Sequence, residues 1–317
     1  MNDPATDWRN RIITVFGGGG FIGRYVCEAL LKTGVRLRVA QRNPRAAYFL
    51  QPLAEVGQLE LVQADMARPE SLDRAVEGAW GVVNLVGLFA GPLDKVHVES
   101  PARAATLAQA GGTESFVHVS AIGADPASPS FYGSTKGRGE IAVEAAFEGA
   151  TIIRPSLVFG QEDQLTNRFA GMARLPVLPV LAAGRRFQPI FVRDLAKAIA
   201  AASTDPATHG GRTYEIGGPQ VMTMRELNAA IAEAAGQSPT IIDLPDFVGA
   251  AMSRLGFLPG APLTRDQWLM LANDNVVHDG MPGTEAFGIT PSPLGAVAPD
   301  WLGRFRSGGR FAAPSGS

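Results

Sequence analysis

The sequence predicts an α/β fold: a doubly wound parallel sheet followed by a smaller C-terminal α/β lobe. Three observations carry this. The apolar, β-branched run Ile12–Phe16 breaks into four glycines and resumes with helical spacing. Strand-like and helix-like segments then alternate as far as Pro155, and beyond Gly160 the alternation lapses while proline density rises.

Ile12–Phe16 has the character of a buried parallel strand. Gly17 allows a tight turn, Gly20 leaves no Cβ between the backbone and an approaching pyrophosphate, and Gly23 lets the next helix lie close to the sheet. That helix carries Ile22, Tyr25, Val26, Ala29 and Leu30 at helical spacing, with Gly34 placed to end it. Its N-terminus aims free N–H groups at a phosphate. A glycine cluster alone is a weak signal in a chain with 37 glycines. Strand, glycine turn, helix and a second strand at Val35–Ala40 together mark a Rossmann-type dinucleotide site on Gly17, Gly18, Gly19, Gly20, Phe21 and Ile22.

A carboxylate at the end of the second strand would bind the ribose hydroxyls of NAD and repel a 2′-phosphate. Gln41 and Arg42 stand there instead, with Arg45 close by. A neutral side chain followed by guanidinium suits NADP; the alternative is an arginine that is simply solvated. Leu59–Ala64 and Gly81–Val86 read as further buried strands. Asp65 and Met66 after the third, and Val86 and Gly87 at the close of the fourth, fall where a parallel sheet lines its nucleotide crevice. Asp65 either accepts from an adenine amino group or caps a helix over Pro69–Val76.

Ser115–Ser120 is the fifth strand and Thr151–Arg154 the sixth, ending at Pro155. Between them, Tyr132 and Lys136 share one helical face at i, i+4 spacing. A nearby ammonium lowers a phenol's pKa, so the pair could exchange a proton with a carbonyl or alcohol, and Lys136 could hold a nicotinamide ribose. By spacing alone such a pair is also common surface decoration.

Gln188–Val192 and Thr213–Gly217 read as strands of a separate lobe, interleaved with the first because Asp194–Ala202 is a helix able to return to it. The expected division is 1–160 with a returning segment of about 188–218, then 161–306, then a disordered tail at 307–317. Phe247–Leu258 is apolar nearly all round, fitting either the lobe's core or a partner or membrane surface. The prolines of Leu175–Ala183 favour a buried loop.

Bulk properties narrow the function. Hydrophobic residues make up 46% and net charge is −2, a soluble balance without the basic surplus of a nucleic-acid binder. A lone cysteine, Cys27, excludes a disulfide framework within the chain and fits a reducing compartment. The N-terminus contains acids and lacks a secretory h-region, and no uninterrupted apolar run is long enough to span a bilayer. His97, His118, His209 and His278 lack metal-ligand spacing, and neither a G-x-S-x-G elbow nor a P-loop is present.

GGGGFIGR, NLVG, HVSAIGAD, Tyr132 with Lys136, RPSLVFG, FVRDLAKAI and YEIGGP together resemble an extended or atypical short-chain dehydrogenase/reductase. The resemblance spans most of the chain. It implies that Tyr132 and Lys136 take the roles just described, aided by a strand-end hydroxyl that orients a carbonyl. Ser120 is present, whereas Ile122 occupies the position nearest that hydroxyl. The segments DQWLML (266–271) and DNVV (274–277), with the QRNP turn (41–44), are similar to one branch, the accessory subunits of respiratory complex I in alphaproteobacterial form. That likeness implies tightly held NADPH without turnover, complex I partners, and a peripheral place on the cytoplasmic side of the inner membrane. The competing expectations are an independent NADP-dependent oxidoreductase or epimerase acting on a sugar nucleotide or lipid-like carbonyl, and a regulator sensing NADPH occupancy.

Overall fold

The computed structural model describes residues 8–254, 256 and 263–306. The chain forms two compact units: Met1–Arg154 with Leu195–Glu215 and Met281–Ile289, and Pro155–Asp194 with Ile216–Gly280 and Thr290–Ser317. The first crossing thus falls at 154 rather than 160, and the returning pieces are 195–215 and 281–289 rather than about 188–218. The tail at 307–317 lies outside the described residues.

Seven strands form the sheet of the first unit. β1 (Ile12–Phe16), β2 (Arg36–Gln41), β3 (Leu59–Gln63), β4 (Gly81–Asn84), β5 (Ser115–Val119) and β6 (Thr151–Pro155) are joined by the strand Thr213–Ile216. Their order across the sheet is Thr213–Ile216, β6, β5, β4, β1, β2, β3, with β1 to β6 paired in parallel. β1, β4 and β5 are buried almost throughout, which explains their largely apolar sequences. β3 is one edge, and there Glu60 faces outward and pairs with Arg38 on the neighbouring β2. The helices α1 (Phe21–Leu31), α2 (Asp73–Val76), α3 (Ser100–Ala110) and α4 (Phe131–Ala146) accompany the sheet. One core layer joins Phe16, Val82, Phe116 and Ile152 of the strands to Ala104, Ala108, Val143 and Phe147.

Thr213–Ile216 lies within the returning segment expected at about 188–218 and extends the main sheet beside β6, so it is not a strand of the separate lobe. Its central Glu215 is buried, and Arg154 on β6 meets the charge at 3.5 Å. The compensating arginine lies 61 positions away, so the short pattern TYEI signals a strand but not the burial of its glutamate.

The second unit has its own core of Phe159, Leu178, Phe187, Leu227, Ile231, Trp301 and Leu302. Leu175–Ala183 is not a loop: Val177–Val180 pairs in parallel with Thr240–Asp243, and a two-stranded sheet tolerates its prolines because each strand keeps an open edge. Gln188–Val192 resolves into the end of one short strand-turn, the strand Ile190–Phe191, and the start of the helix Val192–Thr204. The helix Asp246–Arg254 buries only Gly249 and Ser253, and Phe247 is 73% exposed, so the core reading fails for this part. Leu255 and 257–258 lie outside the described residues.

The DNVV segment acts as a lace within this unit. Asn275 Oδ1 accepts from Leu157 N–H and Ser156 Oγ–H, its carbonyl accepts from Gln188 N–H, and Asp274 accepts from the backbone and guanidinium of Arg186. Val277 N–H donates to Gln188 Oε1. The motif therefore fastens the segments at 156–157 and 186–188, a role that only the structure reveals.

Candidate dinucleotide site

Gly17 takes φ +81°, a backbone state that side chains disfavour, and this makes the turn out of β1. A Cβ on Gly23 would lie 2.2 Å from Gly17 O and 2.6 Å from Gly18 Cα, so only glycine brings α1 down onto the loop. Gly18 is packed equally tightly, since its Cβ would come within 2.8 Å of Cys27 Sγ and Val39. Cys27 is buried beneath it, and burial pushes the thiol up to about 12, so this cysteine packs rather than reacts. Gly20 differs. Its Cβ would meet only Gly17 O at 3.2 Å, the open side required for close approach of a ligand. Gly20 caps α1 without a side-chain bond, leaving the first turn at Phe21 and Ile22 to receive an anion.

Gln41 does more than replace an acid. Its Oε1 accepts from Gly19 N–H at 2.9 Å and its Nε2 donates to the Asn43 carbonyl at 2.7 Å, so the Gly19 amide is held by the protein. Asn43 Oδ1 accepts in turn from Arg45 N–H and caps the short helix Pro44–Leu53. Arg42 and Arg45 are exposed there, and among the described residues neither guanidinium has an ion-pair partner.

Asp65 Oδ1 accepts from Ala67 N–H at 2.9 Å. It stabilises a turn rather than capping a helix over Pro69–Val76, whose two pieces begin after Arg68 and Leu72. Met66 is buried and contributes its carbonyl to Ser100 Oγ–H. Val86 packs toward Gly17, with N–H donating to Asn84 Oδ1, while Gly87 has open space where a Cβ would go. Pro155 is buried at the end of β6.

Ser130 caps α4 by accepting from Gly133 N–H, and the helix then presents Tyr132 and Lys136 one turn apart. Lys136 Nζ donates to the Val119 carbonyl at 2.7 Å, and burial pulls its pKa down to about 8. Burial pushes the Tyr132 phenol the other way, up to about 12. The phenol thus moves opposite to the lowering expected from a nearby ammonium: burial is the cause, with no lowering by Lys136 beside it. Phe89 stacks over Tyr132, centroids 4.9 Å apart at 20°, leaving the tyrosine 9% exposed. Ile122 is buried, and Ser120 Oγ is buried with no hydrogen-bond partner among the described residues. An orphaned hydroxyl at the end of β5 is what a ligand amide or ribose would satisfy.

His97 is a site residue that sequence spacing missed. It lies in a π turn, Lys95–Glu99, and its Nε2 accepts from Leu88 N–H at 3.1 Å. That assigns the proton to Nδ1, which donates to Thr135 Oγ1 at 2.9 Å, and Thr135 donates to the Tyr132 carbonyl. His97 thus ties the loop carrying Phe89 to α4. Burial, aided by Lys136, holds its pKa near 3. The unfolded chain takes up this proton first, so His97 stabilises least as pH falls from about 6.5 toward 3. Melting temperature is expected to drop between pH 7 and 4.5, with a shallower slope for His97→Asn; an unchanged slope would contradict the buried neutral imidazole.

Among the described residues, no three His, Cys, Asp or Glu side chains converge on a possible metal position, and no helix is long and apolar enough to cross a membrane.

A glycine-turn parallel sheet with a Tyr–Lys pair after the fifth strand defines a nucleotide-binding protein of the extended short-chain dehydrogenase/reductase kind. The chain belongs to the NAD dependent epimerase/dehydratase family, whose model matches residues 13–217. It is 31% identical over 307 residues to mouse (Mus musculus) mitochondrial NADH dehydrogenase (ubiquinone) 1 alpha subcomplex subunit 9, covering 93% of this chain and 81% of that protein. It is also 32% identical over 274 residues to a ceramide reductase of Caulobacter vibrioides, covering 85% and 81% of the two chains. In fold it matches an NADPH-dependent quinone oxidoreductase of Escherichia coli complexed with NADPH, with TM-score 0.72, 23% identity, and coverage of 90% and 98%.

Proposed function

We propose that this chain is an NADPH-binding, noncatalytic accessory subunit of NADH:ubiquinone oxidoreductase, peripheral on the cytoplasmic side of the inner membrane, in which the cofactor is structural. The likeness to the mouse subunit along nearly the whole chain supports the partner assignment. The glycine loop and the first turn of α1 fit the pyrophosphate, and the orphaned Ser120 hydroxyl with Lys136 fits the nicotinamide riboside end. Arg42, with Arg45, supplies guanidinium for a 2′-phosphate, and no carboxylate ends β2 to repel it. Asp65, Met66, Val86, Gly87 and Pro155 are assigned to its walls.

The observation that carries the noncatalytic reading is the surroundings of Tyr132. NADPH supplies hydride, but turnover also needs a proton donor open to substrate and a hydroxyl to orient the carbonyl. Here Phe89 covers the phenol, burial raises its pKa to about 12, and Ile122 presents hydrocarbon. A Tyr132→Phe variant is expected to keep NADPH and leave respiratory NADH oxidation unchanged.

The ceramide reductase relative favours a second reading, reduction of a lipid-like carbonyl through Tyr132 and Lys136. Loss of NADPH-dependent carbonyl reduction in Tyr132→Phe, with cofactor retained, would establish that reading instead.

A further inference from the structure

Among the described residues, Ala182 is the one non-glycine with positive φ, at +51°, and it is buried. Backbone held in that sparsely populated state clusters at ligand sites. Ala182 also lines a cavity of about 210 Å³, together with Gly184, Arg185 and Asp246. That is many times the roughly 10–15 Å³ one water needs and below the roughly 300–1,000 Å³ of drug-sized sites, which suits a small polar group. All four residues belong to the second unit, and none is assigned to the dinucleotide.

The charges next to this cavity are paired. Arg186 holds Asp274, and Arg225, whose N–H donates to the Ala183 carbonyl, pairs with Asp243. The two charges that line the cavity are not. Arg185 and Asp246 have no ion-pair or side-chain hydrogen-bond partner among the described residues, and they do not pair with each other. Arg185 acts on Asp274 through its field, but the bonds to that carboxylate come from Arg186. A lone cation and a lone anion on one cavity wall match a ligand that carries both charges.

Guanidinium favours phosphate oxygens, and a carboxylate favours a primary ammonium that donates hydrogen bonds. A quaternary ammonium donates none and is held by aromatic cages, whereas no ring lines this cavity. A glycerol head leaves Asp246 unmatched, and a serine head brings a second carboxylate against it. Phe247, next to Asp246, is 73% exposed and Ile242 is about half exposed, so hydrocarbon attached to the phosphate has apolar surface to rest on.

We propose that this cavity binds the phosphoethanolamine head of a lipid, with the phosphate on Arg185, the ammonium on Asp246 and the hydrocarbon against Phe247. The site goes beyond the subunit reading and does not depend on it. It gives a chain with no spanning helix among its described residues a specific hold on a membrane surface.

The test uses the full purified chain with NADPH and phosphatidylcholine vesicles, either plain or containing phosphatidylethanolamine or phosphatidylglycerol. Flotation of the parent is expected to show binding to the phosphatidylethanolamine vesicles at least about tenfold tighter than to the other two, as charge-assisted hydrogen bonds imply. Arg185→Gln and Asp246→Asn are each expected to erase that preference with NADPH content and melting temperature unchanged, since both side chains are exposed. Arg174→Gln, which removes an exposed charge outside the cavity, is expected to behave as the parent. Soluble glycerophosphoethanolamine is expected to displace the parent from the vesicles, and glycerophosphoglycerol is not; this comparison needs no variant and decides the matter if an amide substitution unfolds the chain. Phe247→Ser is expected to weaken binding to the vesicles and to leave glycerophosphoethanolamine binding as it was. Equal binding to all three vesicles, a preference that survives both cavity variants, its loss in Arg174→Gln, or failure of glycerophosphoethanolamine to compete would overturn the site. A preference for phosphatidylglycerol would overturn the role of Asp246. Vesicle binding untouched by Phe247→Ser, with glycerophosphoethanolamine bound as tightly as the vesicles, would overturn the lipid in favour of a soluble phosphoethanolamine.

Discussion

Gly20→Ala is expected to fold and to lose NADPH, whereas Gly23→Ala is expected to lose the fold around the loop. At Gly20 the added methyl would meet one carbonyl oxygen at 3.2 Å and project into the space assigned to the pyrophosphate. At Gly23 it would drive into backbone at 2.2 and 2.6 Å, where no side chain can yield. The cost at Gly23 is on the order of 3 kcal/mol, the upper range for overpacking. A calorimetric melt and an NADPH titration separate the two outcomes. Equal destabilisation by both alanines, or unimpaired NADPH binding to Gly20→Ala, would remove the loop from the cofactor site.

Arg42→Ala is expected to weaken NADPH by about 1.5 to 3 kcal/mol, roughly ten- to a hundredfold in Kd, because a charged hydrogen bond to the 2′-phosphate is lost. NADH, which lacks that phosphate, is expected to bind the variant as it binds the parent. Raising the salt concentration should narrow the parent's preference, since Arg42 is exposed and its charge is screened. Equal weakening of both nucleotides would place Arg42 elsewhere, and Gln41, through its hold on Gly19, would then be the residue at the end of β2 that matters for either cofactor.

The glycine loop and the parallel strands were legible because their signals are local. Gly17, Gly20 and Gly23 each answer a steric demand within a few residues, and β1, β4 and β5 announce double-sided burial in their own composition. What stayed hidden depends on distant partners. Glu215 looks like a surface residue until Arg154 is placed beside it. His97 looks isolated until Leu88 and Thr135 close on it, and Phe89 gives no sign in sequence that it will cover Tyr132. The Tyr132–Lys136 spacing does place both side chains on one helical face, but spacing carries no information about burial, and burial sets the direction of the phenol's pKa. The same holds for DNVV: its letters suggested kinship, whereas its role as a lace through Asn275 required the fold.

The assignment of a structural cofactor within a respiratory assembly stands or falls on what accompanies the native chain. Membranes solubilised in mild detergent, followed by capture of the tagged chain, identification of its companions by mass, and extraction of nicotinamide from the same preparation, give the answer. The expected result is recovery with the subunits of NADH:ubiquinone oxidoreductase and stoichiometric NADPH that survives respiratory turnover unoxidised. Recovery as a free protein that oxidises NADPH when given a carbonyl substrate would contradict it.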